Sequence, residues 1–210
     1  MDGDAQFKPL SYYRLIEDGN VRGDSSEGTV LSKPEAGLVI HNETQGSSYV
    51  IPEGAILSSA RLDEIFILCG SNSMSDELQV RFEADCCVEI LKVSTFCARL
   101  RAQLPESAIF RAGNVDYYSQ TEEMGIRWAL PDKIAFSKVR EKYAWQREYR
   151  FAFSITDALH NLGKTAQQVI WPSQDSPARP SADAPRKLTA LEPITLSRFN
   201  LRDICRLHLF

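Results

Sequence analysis

The sequence predicts a single α+β domain, with a mixed or antiparallel sheet and two or three short helices. Short segments rich in β-branched and aromatic residues recur along the chain, and turn residues separate them. Only a few segments show helical periodicity. The chain has 210 residues, of which 43% are apolar, so it is long enough to bury one sizeable core.

Eight segments have the composition of β-strands, because they combine Val, Ile, Leu, Tyr or Phe with flanking Gly, Asn, Ser or Pro. The last two are expected to complete the sheet after a long excursion of the chain. The predicted strands are 11–16, 37–42, 48–52, 64–69, 86–91, 114–119, 188–196 and 203–210.

Two segments have helical patterning. One begins after Ser75, a candidate N-cap, and the other begins at Ser94. The segment 132–143 fits a helix only partly and is left open between helix and other structure. The second helix has large apolar residues spaced four apart on one face, namely Phe96, Leu100 and Leu104.

The composition divides the chain into three parts. Residues 1–171 form the predicted core domain, and 188–210 are strands that complete it. Between them, 172–187 contain four prolines together with Ser, Ala and Asp. Such a segment buries too little apolar surface to offset its ordering entropy, so we predict a flexible loop there.

The net charge and the cysteines of the chain indicate which partners and sites to expect. The net charge of -4 and the pI near 5.5 do not favour nucleic acid as a partner. No basic region followed by an apolar run opens the sequence, and the longest apolar runs are far too short to span a bilayer. Five cysteines without a C-x-x-C pair, and three scattered histidines, indicate free thiols and no metal site. We therefore expect a cytoplasmic protein with no membrane partner.

The segment 143–153 is the most unusual in the chain, since it combines aromatic residues with charged ones. If it is one strand, side chains alternate between its two faces. Tyr143, Trp145, Arg147, Tyr149, Phe151 and Phe153 then share a core-facing side. The opposite face carries Ala144, Gln146, Glu148, Arg150 and Ala152. We predict that this second face lines a polar cleft; the alternative is a solvated surface with weak ion pairs.

Five short motifs occur in order between residues 12 and 153. Together they resemble a widespread prokaryotic family known as a domain of unknown function. That resemblance implies an intracellular bacterial domain and assigns no reaction. The motifs are Tyr12 with Arg14, R-G-D at 22–24 followed by Glu27 and Gly28, L-C-x-S-x-S at 68–73, C-V-E-I at 87–90, and Q-x-E-Y-R-F at 146–151.

Three of these elements also resemble the R-S-E type of ADP-ribosyltransferase. Such enzymes carry an early arginine, a Ser-x-Ser after a middle strand and a late Gln-x-Glu. In this chain the matching residues are Arg14, Ser71, Ser73, Gln146 and Glu148.

The resemblance implies a role for each matching residue. Arg14 would bind the pyrophosphate of NAD, with Arg22 as a further residue that binds the dinucleotide. The two serines would position the ribose. Glu148 would accept a ribose hydroxyl and stabilise the oxocarbenium-like charge as nicotinamide leaves, and Gln146 would face the acceptor.

The resulting hypothesis is an enzyme that uses NAD as a substrate, either for ADP-ribosyl transfer or for NAD glycohydrolysis. It implies a bacterial toxin or phage-defence effector whose acceptor is a protein or a small molecule.

Two other hypotheses for the function stay open. In a non-catalytic interaction or ligand-sensing module, Arg14, Arg22, Glu148 and Arg150 would form a structural ion network or hold a small anion. In a hydrolase of a nucleotide or glycosidic bond, Glu148 would act with Asp24 or Glu27.

Overall fold

The computed structural model describes residues 2–16, 21–122, 130–161, 163–172 and 192–210. Their helices are α1 (Leu10–Tyr13), α2 (Asp76–Phe82), α3 (Val93–Gln103), α4 (Pro131–Ala135) and α5 (Arg140–Tyr143). Their strands are β1 (Asp2–Pro9), β2 (Thr29–Ser32), β3 (Leu38–Asn42), β4 (Ser47–Ile51), β5 (Ala55–Ser59), β6 (Phe66–Ser71), β7 (Cys86–Ile90), β8 (Ile109–Asn114), β9 (Asp116–Tyr118), β10 (Ser137–Val139), β11 (Glu148–Ser154), β12 (Ala166–Ile170), β13 (Ile194–Asn200) and β14 (Cys205–Leu209). The predicted α+β class is confirmed.

The central element is a five-stranded antiparallel sheet with the order β13-β1-β6-β11-β8. A hydrophobic cluster covers each of its faces. The smaller sheets are β12-β5-β2, the pairs β14-β7 and β3-β4, and the parallel pair β9-β10. No helix in the described ranges is long and apolar enough to cross a bilayer.

Strand β11 divides its side chains between the two clusters as the alternation predicts. Phe151 and Phe153 are buried in the first cluster, and Tyr149 packs partly buried against it. Ala152 belongs to the second cluster, and Arg150 is fully buried. The aromatic and polar faces of this strand are therefore as expected from Glu148 onward.

Upstream of Glu148 the prediction of a continuous strand is wrong. The chain forms α5 and then a 3₁₀ turn at Ala144–Gln146, and Arg147 adopts a left-handed conformation with φ of 46°. The left-handed residue reverses the chain before β11 begins, so period-two alternation does not extend to Tyr143. Arg147 is exposed and does not lie against the core.

Two other local predictions change. The segment 11–16 contains the end of the single-turn helix α1 and the turn after it, and the actual strand is β1, immediately before them. The open segment 132–143 divides into α4, β10 and α5. In both places short elements follow one another directly or after a single residue, so the sequence does not show where one ends and the next begins.

The two predicted helices are present. Ser75 caps α2, since its Oγ accepts a hydrogen bond from the Leu78 amide at 3.3 Å. Phe96 and Leu100 are the buried residues of α3. Beyond the predicted loop, which lies outside the described residues except for Pro172, β13 pairs with β1 and β14 pairs with β7.

Candidate functional site

A cavity of about 560 Å³ opens over the polar face of the central sheet. Its floor contains Cys69 and Ser71 of β6, together with Glu148 and Arg150 of β11. Strands β6 and β11 are antiparallel neighbours, and Glu148 lies directly opposite Ser71 in their register. Apolar side chains from α2 and its flanks form one wall, including Met74, Leu78 and Phe82.

Arg150 is the centre of a buried ion network beneath the cavity, with a relative exposure of 0%. Its guanidinium donates to both carboxylate oxygens of Glu27 at 2.7 and 2.9 Å. The Nε atom donates to Oε1 of Glu148 at 2.6 Å, and a further hydrogen bond reaches the carbonyl of Ala135. One arginine thus joins the R-G-D-x-x-E-G loop, α4 and β11.

Lys138 of β10 is the second cation of this network and is also buried. Its Nζ lies 2.9 Å from Oε2 of Glu148 and 3.6 Å from Oε2 of Glu27. It also donates to Oε1 of Gln146 at 3.4 Å. Two cations and two carboxylates balance each other, which is what allows four charges to be buried together.

The network fixes the protonation of its members. Burial by itself raises the pKa of Glu148, but the charges of Arg150 and Lys138 outweigh burial and bring the pKa down to about 2. Burial by itself lowers the pKa of Lys138, but Glu148 and Glu27 outweigh it and hold the pKa above its ordinary value. At neutral pH Glu148 is a carboxylate and Lys138 an ammonium.

These pKa shifts predict how stability responds to acid. The pKa of Glu148 is about 2 in the folded chain and 4.5 ordinarily, so its contribution is complete above pH 4.5 and is lost as the pH falls towards 2. The free energy of unfolding should fall over this range, by about 3 kcal/mol from Glu148 alone. Urea unfolding at pH 5, 4 and 3 measures the loss. Glu148→Gln lacks this titration, so wild-type and variant curves that stay parallel would contradict the assignment.

Gln146 and Ser71 lie beside Glu148 at the same end of the cavity. The Gln146 side chain is buried and donates to the Val21 carbonyl at 2.7 Å, which ties the turn before β11 to the amino-terminal loop. Ser71 donates from Oγ to the Gln146 carbonyl at 2.7 Å and accepts from the Ser73 amide at 3.2 Å. Ser73 lines the cavity as well.

The two arginines that were expected to bind the dinucleotide lie in different surroundings. Arg22 lines the cavity and donates to the Phe82 carbonyl at 3.2 Å, which connects the loop to α2. Arg14 is not among the lining residues; it follows α1 and donates from Nε to the Glu27 carbonyl at 2.8 Å. Arg14 was expected on a strand at 11–16 and at the pyrophosphate of NAD, but the chain turns at α1 and directs the Arg14 side chain to the Glu27 carbonyl.

The R-G-D-x-x-E-G motif holds the network together. Asp24 accepts from the amide and hydroxyl of Ser26 at 2.9 and 2.6 Å, forming the turn that directs Glu27 to Arg150. Gly28 has φ of 67°, a left-handed conformation that favours glycine, and a Cβ there would push the Leu62 side chain aside. Asp24 itself does not line the cavity.

Sequence reasoning missed several lining residues. Lys138 gave no signal, because its partners lie far away in the chain or across a turn. Tyr13 was passed over between two motif residues, yet it lines the cavity, where burial raises the pKa of its hydroxyl. Cys69 is exposed to the cavity space but is surrounded by protein on its other sides. The resulting desolvation, together with the negative charge of Glu148, raises the pKa of its thiol, so the thiol stays protonated.

Among the residues that the structure describes, no group of three or more His, Cys, Asp or Glu side chains is placed to hold a metal ion. In comparison with known proteins, the chain matches no family model, no curated protein and no solved structure. The two resemblances seen in its motifs therefore stay predictions.

Proposed function

We propose that the protein binds NAD in this cavity and cleaves the bond between nicotinamide and ribose, passing the ADP-ribosyl group to an acceptor or to water. One observation carries the proposal. The register of β6 and β11 puts Glu148 opposite Ser71, and the turn before β11 adds Gln146 at the same end of the cavity. The cavity volume of about 560 Å³ is also within the range of small-molecule sites.

Glu148 has the properties that the reaction asks of a carboxylate. It is ionised across the neutral pH range, because its pKa is about 2. Arg150 donates to Glu148 from Nε at 2.6 Å and from Nη2 at 3.4 Å, Lys138 Nζ lies 2.9 Å from Oε2, and the Cys69 thiol hydrogen-bonds to the same carboxylate. A carboxylate has about four acceptor positions, so a ribose hydroxyl would bind Glu148 by displacing one of the weaker donors, Arg150 Nη2 or the Cys69 thiol. The negative charge of Glu148 would then lie where positive charge develops on the sugar.

Gln146 lies beside Glu148, in the 3₁₀ turn before β11. Its side chain is buried, with the amide donating to the Val21 carbonyl and the oxygen accepting from Lys138, so it positions this turn and does not face the acceptor as expected. The exposed Ser71 hydroxyl holds that turn at 2.7 Å from Oγ to the Gln146 carbonyl. Departure of nicotinamide takes the bonding electrons, the acceptor oxygen bonds to the ribose carbon, and the acceptor releases its proton.

The test is to incubate the purified chain with NAD and to measure both binding, by calorimetry, and free nicotinamide, by chromatography. Nicotinamide release that depends on the chain, with or without an added acceptor protein, is the expected result. Absence of binding at millimolar NAD would contradict the proposal.

A second candidate is a ligand-sensing module without catalysis. The observation that favours it is the pairing of Glu148 with Arg150 at 2.6 Å and with Lys138 at 2.9 Å, in a side chain that is only 4% exposed. Two adjacent cations offset much of the negative charge that catalysis would use. Saturable NAD binding without nicotinamide release would select this function.

A further inference from the structure

A second region of the cavity is defined by Lys8 of β1. Its Nζ donates to the hydroxyl of Tyr12 at 2.8 Å and lies 4.0 Å from the centroid of the Tyr12 ring. Both residues line the cavity. Unlike Lys138, Lys8 has no carboxylate within ion-pair distance in the described part of the chain.

The charged lining of the cavity is unequal in sign. Among the described residues that line the cavity, four side chains are cationic and two are carboxylates, in a chain of net charge -4. Arg150 and Lys138 pair with both of these carboxylates. A recess of one sign attracts ligands of the other sign, and low-dielectric walls strengthen the effect. The charged lining residues are Lys8, Arg22, Lys138, Arg150, Glu27 and Glu148.

The register of the sheet shows how far apart the two regions lie. Lys8 is opposite Ile67 on β6, whereas Glu148 is opposite Ser71. Ile67 and Ser71 are four residues apart and share a face, so the two regions are separated by roughly 13 Å along the strand. A ligand that contacts both is an extended molecule, with its negative charge remote from the part above Glu148.

We infer that Lys8 and Tyr12 form a phosphate subsite, which binds the phosphate or pyrophosphate of the ligand while its sugar lies above Glu148. The Tyr12 hydroxyl accepts from Lys8, and no acceptor takes its own proton among the described residues, so it donates alongside the ammonium. This subsite performs the role that the sequence assigned to Arg14. The inference rests on the proposed function for the identity of the sugar.

The experiment measures binding of NAD, ADP-ribose and inorganic pyrophosphate by calorimetry at 50 mM and 200 mM NaCl. The full chain is compared with Lys8→Met, Lys8→Arg and Tyr12→Phe. Lys164→Met is the control, because it removes an exposed lysine that does not line the cavity. Thermal unfolding of each variant establishes that it is folded.

Lys8→Met should bind ADP-ribose at least tenfold more weakly than wild type and with a shallower dependence on salt, because an ion contact has been removed. Lys8→Arg should retain most of the affinity, Tyr12→Phe should lose less than Lys8→Met, and Lys164→Met should match wild type. A role of Lys8 in folding alone would not change the salt dependence.

The outcomes separate this inference from the proposed function. If Lys8→Met binds NAD and ADP-ribose as wild type does, the subsite is overturned while cleavage of NAD stands. If pyrophosphate binds and Lys8→Met loses it, but wild type neither binds nor cleaves NAD, the subsite stands and the proposed function fails. If none of the three probes binds wild type at millimolar concentration, the phosphate subsite is overturned.

Discussion

Replacing Glu148 by glutamine is expected to reduce nicotinamide release about 100- to 1000-fold while NAD still binds. Glutamine has nearly the same shape and still accepts a hydrogen bond, but it carries no charge to stabilise the developing positive charge on the ribose. Single-turnover release of nicotinamide and calorimetric binding of NAD measure the two effects separately. A variant that cleaves NAD at the wild-type rate would show that Glu148 is not the catalytic carboxylate.

Glu27→Gln is the matched control for this variant, because it removes the same charge from the same buried network. Arg150 holds Glu27 by two hydrogen bonds and holds Glu148 at 2.6 Å, so each variant leaves one positive charge unbalanced. We expect each to lower the free energy of unfolding by roughly 3 kcal/mol. Turnover should fall much further in Glu148→Gln. Equal losses of turnover would mean that Glu148 acts only through the network.

Replacing Arg150 by methionine should produce the largest loss of stability in the chain, roughly 4 to 5 kcal/mol. Methionine fills much of the volume but leaves the carboxylates of Glu27 and Glu148 with Lys138 as their remaining cation. Both carboxylates are buried, at 1% and 4% exposure, and the Ala135 carbonyl also loses its donor. Urea unfolding at pH 7 measures the effect.

The loss of unfolding free energy in Arg150→Met should become smaller as the pH falls from 7 to 5. Without the guanidinium, only Lys138 opposes the effect of burial on Glu148, so the pKa of Glu148 rises and the variant takes up a proton that the wild type does not. The control is Arg99→Met, which removes an equally bidentate pair with Asp203, both distances being 2.8 Å, from the surface. That variant should lose much less stability, because water and salt screen an exposed ion pair. Similar losses in the two variants would contradict a structural role for the network.

The separation of aromatic and polar side chains along β11 could be predicted because it is a local property. A strand alternates its faces whatever it packs against, so Tyr149 and Phe151 were expected on one side, and Glu148 and Arg150 on the other. The cap of α2 is local in the same way, since Ser75 bonds an amide three residues away.

The extent of that strand could not be predicted, because aromatic residues suit a buried turn as well as a strand. Tyr143 is 1% exposed in α5, where its hydroxyl donates to the Gly23 carbonyl at 3.2 Å. The same composition that indicated a strand therefore describes a helical turn packed against the amino-terminal loop. Intrinsic propensity favours one secondary structure over another only weakly in such a segment, so its tertiary contacts determine whether it forms a strand or a helical turn.

The sequence by itself determined the α+β class, the two longer helices and the polar face at Glu148. Of the six residues that it selected as site candidates, all except Arg14 line the cavity, and their roles stay predictions. Only the tertiary structure directed Arg14 to the Glu27 carbonyl and brought Lys138 to Glu148. It also placed Lys8 and Tyr12 together at the other end of the cavity. Faces and caps depend on neighbours within a few residues. The partners of a buried charge are set by how distant segments pack: Glu27 and Arg150 are 123 residues apart in the chain and 2.7 Å apart in the fold.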